Sequence, residues 1–146
     1  MENQYTYSAS VDWTGERKGT VSSGSLPQLQ VATPPEFPSG HKGLWSPEHY
    51  FVASVTSCLM TTFLAIAENS KLGVKRFSAR GSATMQKTGS TYEFSSVEIE
   101  VSLAIDDEEA VKKAERILQK SEENCFISRS IKAPVHLKPE ISVAQL

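Results

Sequence analysis

The sequence predicts an α+β protein whose sheet is mostly antiparallel. Three observations carry that expectation. Apolar residues alternate with polar ones over residues 5–13, 77–85 and 97–105, which is the period of half-buried strands. Two stretches, one after Ser46 and one after Asp106, carry helix-start signals followed by apolar residues at helical spacing. The order of elements is strands, helix, strands, helix, strand, which is not the strict alternation of a doubly wound parallel fold.

With 146 residues the chain has the length of one domain, residues 1–146. A hydrophobic share of 39% and a charged share of 22% are those of a globular chain. The net charge is −2 and no run of Lys or Arg exceeds two, so nothing electrostatic points to nucleic acid or an anionic membrane as partner. The N-terminal residues have neither a positive region nor an apolar run, so they do not read as a secretory leader. Residues 50–67 are the one membrane-span candidate. They contain Ser54, Thr56, Ser57, Thr61 and Thr62 and are barely long enough, so a buried core helix is expected. The protein is then expected to be cytoplasmic, where thiols stay reduced and a transient, catalytic disulfide is the allowed kind.

In the first strand Tyr5, Tyr7, Ala9, Val11 and Trp13 alternate with polar residues. Gly15 and Gly19 bound a turn carrying Arg17 and Lys18, and Thr20-Val21-Ser22 resumes extended structure, giving a hairpin. Pro27, Pro34, Pro35, Pro38 and Pro47 make the next stretch a long ordered loop rather than regular structure. Ser46 is placed to N-cap the first helix, Pro47 suits its first position, and Glu48 sets a negative charge at the positive end of the dipole. This helix is expected to run to about Asn69, before Gly73, and its apolar residues go nearly all the way round. Such a helix needs cover on every side, so a second subunit is a plausible cover.

Two long strands follow, turning at residues 87–90. In the second, Tyr92 and Phe94 are in one phase and Val97, Ile99, Val101, Leu103 and Ile105 in the other, so a bulge is expected at Ser95-Ser96. The second helix is expected to start at Asp106, with Glu109 at capping-box spacing, and to present Ala110, Val111, Ala114, Ile117, Leu118 and Ser121 as one apolar face. A closing strand with Val135, Leu137, Ile141 and Val143 is interrupted by Pro139 and expected at a sheet edge.

The chemistry-bearing candidates centre on the two cysteines, Cys58 and Cys125. A buried cysteine is by default a small hydrophobe. Cys58 lies about three turns into its helix, beyond the reach of the dipole, and an apolar surround would raise its pKa. A reactive Cys58 therefore calls for a cation from elsewhere, with Arg17 the natural donor and Lys18 the alternative. Glu48 lies about 15 Å along the helix from Cys58, so it would act from a second subunit or through Arg17. His41, His49 and His136 have no metal-ligand spacing, and zinc is not expected.

The stretch Ser46-Pro47-Glu48-His49-Tyr50-Phe51-Val52-Ala53-Ser54-Val55-Thr56-Ser57-Cys58, the later Cys125-Phe126-Ile127-Ser128, and the basic loop Gly15-Glu16-Arg17-Lys18-Gly19 together resemble the osmotically inducible protein C / organic hydroperoxide resistance (OsmC/Ohr) family. The resemblance covers nearly the whole chain. It implies an intertwined homodimer, with mostly antiparallel sheets wrapped around long central helices and two active sites at the subunit interface. It also implies a cysteine-based peroxidase that reduces organic hydroperoxides. Carried over, Cys58 is the peroxidatic thiol, Cys125 the resolving thiol, Arg17 the activating cation (with Lys18 beside it) and Glu48 the carboxylate that orients it. The resemblance implies an external dithiol reductant of lipoyl type and no metal or organic cofactor. The Pro-rich loop at 33–40 looks more like general members of the family than the hydroperoxide-specialised branch. The alternative is a non-catalytic dimer of the same fold that binds a small apolar molecule at the interface, its cysteines serving as core residues.

Overall fold

The computed structural model describes residues 3–144, so Met1 and Glu2, at the head of the segment that does not read as a leader, lie outside it. The chain forms two compact units, residues 1–51 and 52–146, divided within the first long helix.

The first unit is built on a three-stranded antiparallel sheet, β1 (Ser10–Gly15), β2 (Lys18–Ser22) and β3 (Leu29–Ala32), with β2 in the middle. The strand expected from Tyr5 begins only at Ser10, because β2 ends opposite it at Ser22 and the residues before Ser10 have no strand to pair with. It is also open rather than half-buried: Val11 is 63% and Trp13 78% exposed. At the tip the register slips between Trp13 and Gly15. Gly15 and Glu16 both take positive φ, 127° and 53°, and the Trp13 indole N–H donates to the Glu16 carbonyl at 2.8 Å, pinning the turn that presents Arg17.

The Pro-rich stretch is not wholly irregular, as the sequence had implied. The four residues of β3 fit between Pro27 and Pro34, where none of the prolines interrupts pairing with β2. Beyond β3 the chain closes on itself. The His41 N–H donates to the Thr33 carbonyl at 3.0 Å, and Gly40 passes so close to Pro34 that a Cβ there would lie 2.0 Å from its carbonyl oxygen. The Thr33 N–H in turn donates to the Arg17 carbonyl at 3.2 Å, which ties this loop to the hairpin turn.

Helix α1 (Pro47–Asn69) starts as expected at Ser46, with His49 in the role usually taken by a glutamate in a capping box. The His49 N–H donates to Ser46 Oγ at 3.2 Å, and the Ser46 N–H donates to His49 Nδ1 at the same distance. Ser46 is fully buried, and Trp45 stacks on Tyr50 at 5.7 Å.

The second unit contains a sheet of order β4-β5-β6: β4 (Val74–Thr88), β5 (Thr91–Ile105) and β6 (Val135–Val143). β4 and β5 are antiparallel and turn at Gly89, whose φ of 64° suits glycine. The expected bulge is present. Thr84 pairs with Ser96 and Met85 with Phe94, leaving Ser95 over, and its hydroxyl donates to the Thr84 carbonyl at 3.2 Å. β5 is the central strand, and Val97, Ile99, Val101, Leu103 and Ile105 are buried in the core.

β6 runs parallel to β5 in unbroken register from Val135 to Val143. Pro139 does not interrupt it, because an edge strand has one side on which a missing N–H costs no ladder bond. The parallel pairing requires a crossover, supplied by α2 (Val111–Asn124), whose Ala114, Ile117, Leu118 and Ser121 are buried as expected. The cap differs from the expected one. Asp107, not Asp106, accepts the Glu109 N–H at 2.9 Å and opens a short 3₁₀ turn, Glu108–Ala110, ahead of α2.

By length and composition α1 is apolar enough to cross a membrane. In the second unit it buries the row Val55, Leu59, Phe63 and Ala67, and Phe63 meets Phe77 of β4 with ring centroids 5.2 Å apart. Gly81 of β4 admits the helix closely, for a Cβ there would lie 2.0 Å from Thr56 Oγ1. The helix hydroxyls bond within the helix itself: Thr56 donates to the Val52 carbonyl and Ser57 to that of Ala53, both at 2.7 Å. Met60 and Leu64, by contrast, remain 37% and 40% exposed.

Candidate active site

The predicted residues fall into two groups, one in each unit. In the second unit Cys58 and Cys125 come together. Cys125 sits where the chain leaves α2, in an extended conformation, and its side chain is fully buried. The residues after it fold tightly back: the Arg129 N–H donates to the Cys125 carbonyl at 3.0 Å and the Ser130 N–H to that of Ile127, also at 3.0 Å. Phe126 in this turn borders the same groove as Cys58.

Both thiols are free. Burial pushes the Cys58 thiol up, but hydrogen bonds from the Cys125 thiol, the Ile127 amide, the Thr62 hydroxyl and the Phe126 amide outweigh it and hold Cys58 below its ordinary value. Cys125 is moved the other way. Burial raises it first, the bond to Cys58 raises it further, and Ser128 offsets only part of this. The sulfur of Cys58 lies 3.9 Å from Thr62 Oγ1. It opens on a groove of about 450 Å³ bounded also by Thr61, Ile66, Lys120, Asn124 and Phe126. The sequence had asked for a cation to activate Cys58. Among the described residues the downward shift comes from neutral donors instead.

In the first unit Arg17 and Glu48 line one cavity of about 740 Å³, walled largely by Val11, Trp13, Val31, Pro34 and Phe37. Arg17 projects from the hairpin turn and Glu48 from the first turn of α1. Glu48 Oε1 is buried and has no hydrogen-bond partner among the described residues. Of the two candidate cations, Lys18 is paired with Glu16 at 3.5 Å, and Glu16 also lies 3.3 Å from His41 Nε2. Among the described residues Arg17 has no ion pair. No group of three or more His, Cys, Asp or Glu among the described residues is arranged to hold a metal ion.

Sequence reasoning missed Thr62 and the amides of Phe126 and Ile127. Thr62 stands four residues after Cys58, on the same helix face, and that spacing could have found it. Backbone amides carry no signature in residue type.

Residues 40–140 match the sequence model of the OsmC-like proteins. The chain belongs to this family. An uncharacterised protein of Bacillus subtilis, YmaD, is 25% identical over 137 residues, covering 90% of each chain. Among solved structures, an OsmC-like protein of unknown function from Vibrio cholerae superposes with a TM-score of 0.86 at 20% identity, covering 94% of this chain and 100% of the other. An organic hydroperoxide resistance protein OsmC from Legionella pneumophila superposes with a TM-score of 0.72 at 25% identity, covering 97% and 100%. As an OsmC-family protein the chain thus has relatives named for hydroperoxide resistance, and the α+β fold with two sheets and two helices is the one they share.

Proposed function

We propose that this OsmC-family protein is a cytoplasmic, homodimeric thiol peroxidase that reduces organic hydroperoxides to alcohols. The observation that carries the reading is the unequal thiol pair: Cys58 at an open groove, its pKa held below the ordinary value, and a buried Cys125, its pKa raised above it. The Cys58 thiolate attacks the distal peroxide oxygen. The O–O bond breaks, a Cys58 sulfenic acid forms, and the alkoxide takes a proton to leave as the alcohol. Cys125 then attacks the Cys58 sulfur, its proton goes to the departing hydroxide, and a Cys58–Cys125 disulfide and water result. An external dithiol, of lipoyl type by family resemblance, reduces that disulfide by exchange.

Arg17 and Glu48 complete the site in this reading. Glu48 offers a buried carboxylate oxygen in need of a donor, and Arg17 has no ion pair among the described residues, while Lys18 is held by Glu16. The guanidinium then donates to the peroxide and Glu48 orients it, a charge-assisted arrangement. A second subunit would also cover the part of α1 that its own unit leaves open, including Met60 and Leu64. The apolar wall of the first-unit cavity supports one other reading, a non-catalytic dimer that holds a small apolar molecule there.

Anaerobic titration of the reduced protein with cumene hydroperoxide separates the two. Rapid loss of both thiols, with a sulfenic acid trapped in Cys125→Ser, is the expected result. Thiols that survive an excess of peroxide would sink the peroxidase and leave the binding reading.

A further inference from the structure

The proposed reaction needs an external thiol reductant, and the groove at Cys58 carries a group that the reaction has not yet used. Lys120 of α2 lines this groove with Cys58, Thr61, Thr62, Asn124 and Phe126, and among the described residues it is the one charged member. The polar neighbours are committed elsewhere: Asn124 Nδ2 donates to the Lys120 carbonyl at 2.8 Å, and the Thr61 hydroxyl to the Cys58 carbonyl at 3.1 Å. The Lys120 ammonium has no ion pair among the described residues. Glu123, at helical spacing from it, accepts instead from Gln119 Nε2 at 3.1 Å. Lys112, Arg116 and Lys120 follow one another at four-residue spacing, all exposed and all without an ion pair among the described residues. Like charges so spaced repel and cost the helix a little stability. An exposed lysine is ordinarily just solvated; this one ends a row of cations at a thiol.

We propose that this groove receives the reductant and that the reductant carries a carboxylate: Lys120 pairs with the carboxylate while a thiol of the same molecule meets the Cys58 sulfur. Attack falls on Cys58 because Cys125 is 0% exposed, whereas Cys58 borders the groove. A thiolate of the reductant bonds to the Cys58 sulfur, the Cys58–Cys125 bond breaks, and Cys125 leaves as a thiolate that takes up a proton. The second thiol of the reductant gives its proton to solvent and closes on the first sulfur. The reductant departs as a cyclic disulfide and Cys58 as a thiolate, so two electrons pass from the dithiol to the cysteine pair. Lys120 is thus a specificity-determining residue. It favours an anionic reagent over its neutral counterpart by about threefold, the scale of an exposed ion pair, and added salt weakens the preference.

The inference rests on the peroxidase reading for its reductant, but its test uses no peroxide. Iodoacetate and iodoacetamide alkylate thiolates alike and differ by a carboxylate. The ratio of their rates at Cys58, read by peptide mass spectrometry at one pH, therefore cancels the thiolate fraction. The ratio is expected to fall about threefold in Lys120→Gln and about tenfold in Lys120→Glu, with the iodoacetamide rate within about twofold of wild type. Lys112→Gln removes the same charge about 12 Å along the helix and should leave the ratio nearly unchanged. A ratio unmoved in Lys120→Glu, or moved as far in Lys112→Gln, would overturn the site. The second arm takes Cys125→Ser with Cys58 blocked as a thiopyridyl mixed disulfide, and follows thiopyridone release by dihydrolipoate or by dihydrolipoamide. Faster release by dihydrolipoate, lost in Lys120→Gln, is expected. Equal rates for the two, or a preference that Lys120→Gln leaves intact, would overturn the assignment to a reductant. A wild type inert towards hydroperoxides would remove the peroxidase reading and leave both ratios where they are.

Discussion

Around Cys58 the second unit supplies four hydrogen-bonding groups, whereas around the buried Oε1 of Glu48 the first unit supplies none among the described residues. Both residues are carried by α1. The thiol thus has its donors within its own unit, while one carboxylate oxygen of Glu48 has none among the described residues. A buried, unpaired carboxylate oxygen costs free energy, and proteins retain such a group where a donor arrives from outside or where chemistry uses it. In the proposed peroxidase this contrast makes thiol activation and substrate handling separable, so that each should be open to perturbation without the other.

The strongest test of the finished half is Cys58→Ser, expected to lower hydroperoxide reduction about a thousandfold or more while Cys125 stays slow to alkylate. The unfinished half is probed next. Glu48→Gln or Arg17→Ala is expected to lower turnover about a hundredfold by loosening the peroxide, with the Cys58 alkylation profile unmoved. A shift in that profile would break the separation drawn above. Mixing Cys58→Ser chains with Glu48→Gln chains sharpens it: recovered activity assigns the two residues to opposite subunits, and no recovery assigns them to one.

The pH dependence follows from the direction of the shifts. Cys58 is lowered, so the folded protein carries thiolate at pH values where a free cysteine is still protonated. Its alkylation should exceed that of a free cysteine most in that window, and the two should converge as pH rises past the free thiol's own value. Taken alone, Cys58 adds stability above its unfolded pKa and loses it as pH falls through the lowered folded one. Cys125 is raised and acts above that point, losing stability as pH rises from its unfolded value through its folded one, so the pair together stabilises most near the free thiol's own value.

Two smaller perturbations address one region each. Gly81→Ala places a methyl against Thr56 Oγ1, which is itself bonded to the Val52 carbonyl, and should cost about 1–3 kcal/mol in urea denaturation. Ser46→Ala removes the cap at the first turn of α1 and should cost about 1 kcal/mol. The second change should disturb Glu48-dependent turnover more than Cys58 alkylation, and an equal effect on both would tell against two independent regions.

Much of the second unit was legible because its local rules agree. The phase change at Ser95 announced its bulge, and the apolar face of α2 announced its buried side. The misreadings share one cause, which is that pairing partners decide what a segment becomes. Residues 5–9 have strand periodicity but no strand opposite them, while residues 29–32, set among prolines, found β2 beside them. Pro139 breaks a central strand but not an edge, and the edge position of β6 came true in a parallel register that periodicity does not encode. The capping aspartate moved by one residue because a 3₁₀ turn precedes α2.

The sequence by itself determined the fold class, the family, the cap of α1 at Ser46 and the identity of the two thiols, because these depend on residue type and short spacing. Only the tertiary structure decided how the thiols differ. Cys58 and Cys125 are 67 residues apart along the chain, and the same residue type is lowered in one place and raised in the other. What separates them is burial and the direction in which neighbouring hydrogens point. Two of those hydrogens belong to backbone amides, groups present at nearly every residue, and only folding determines what they face.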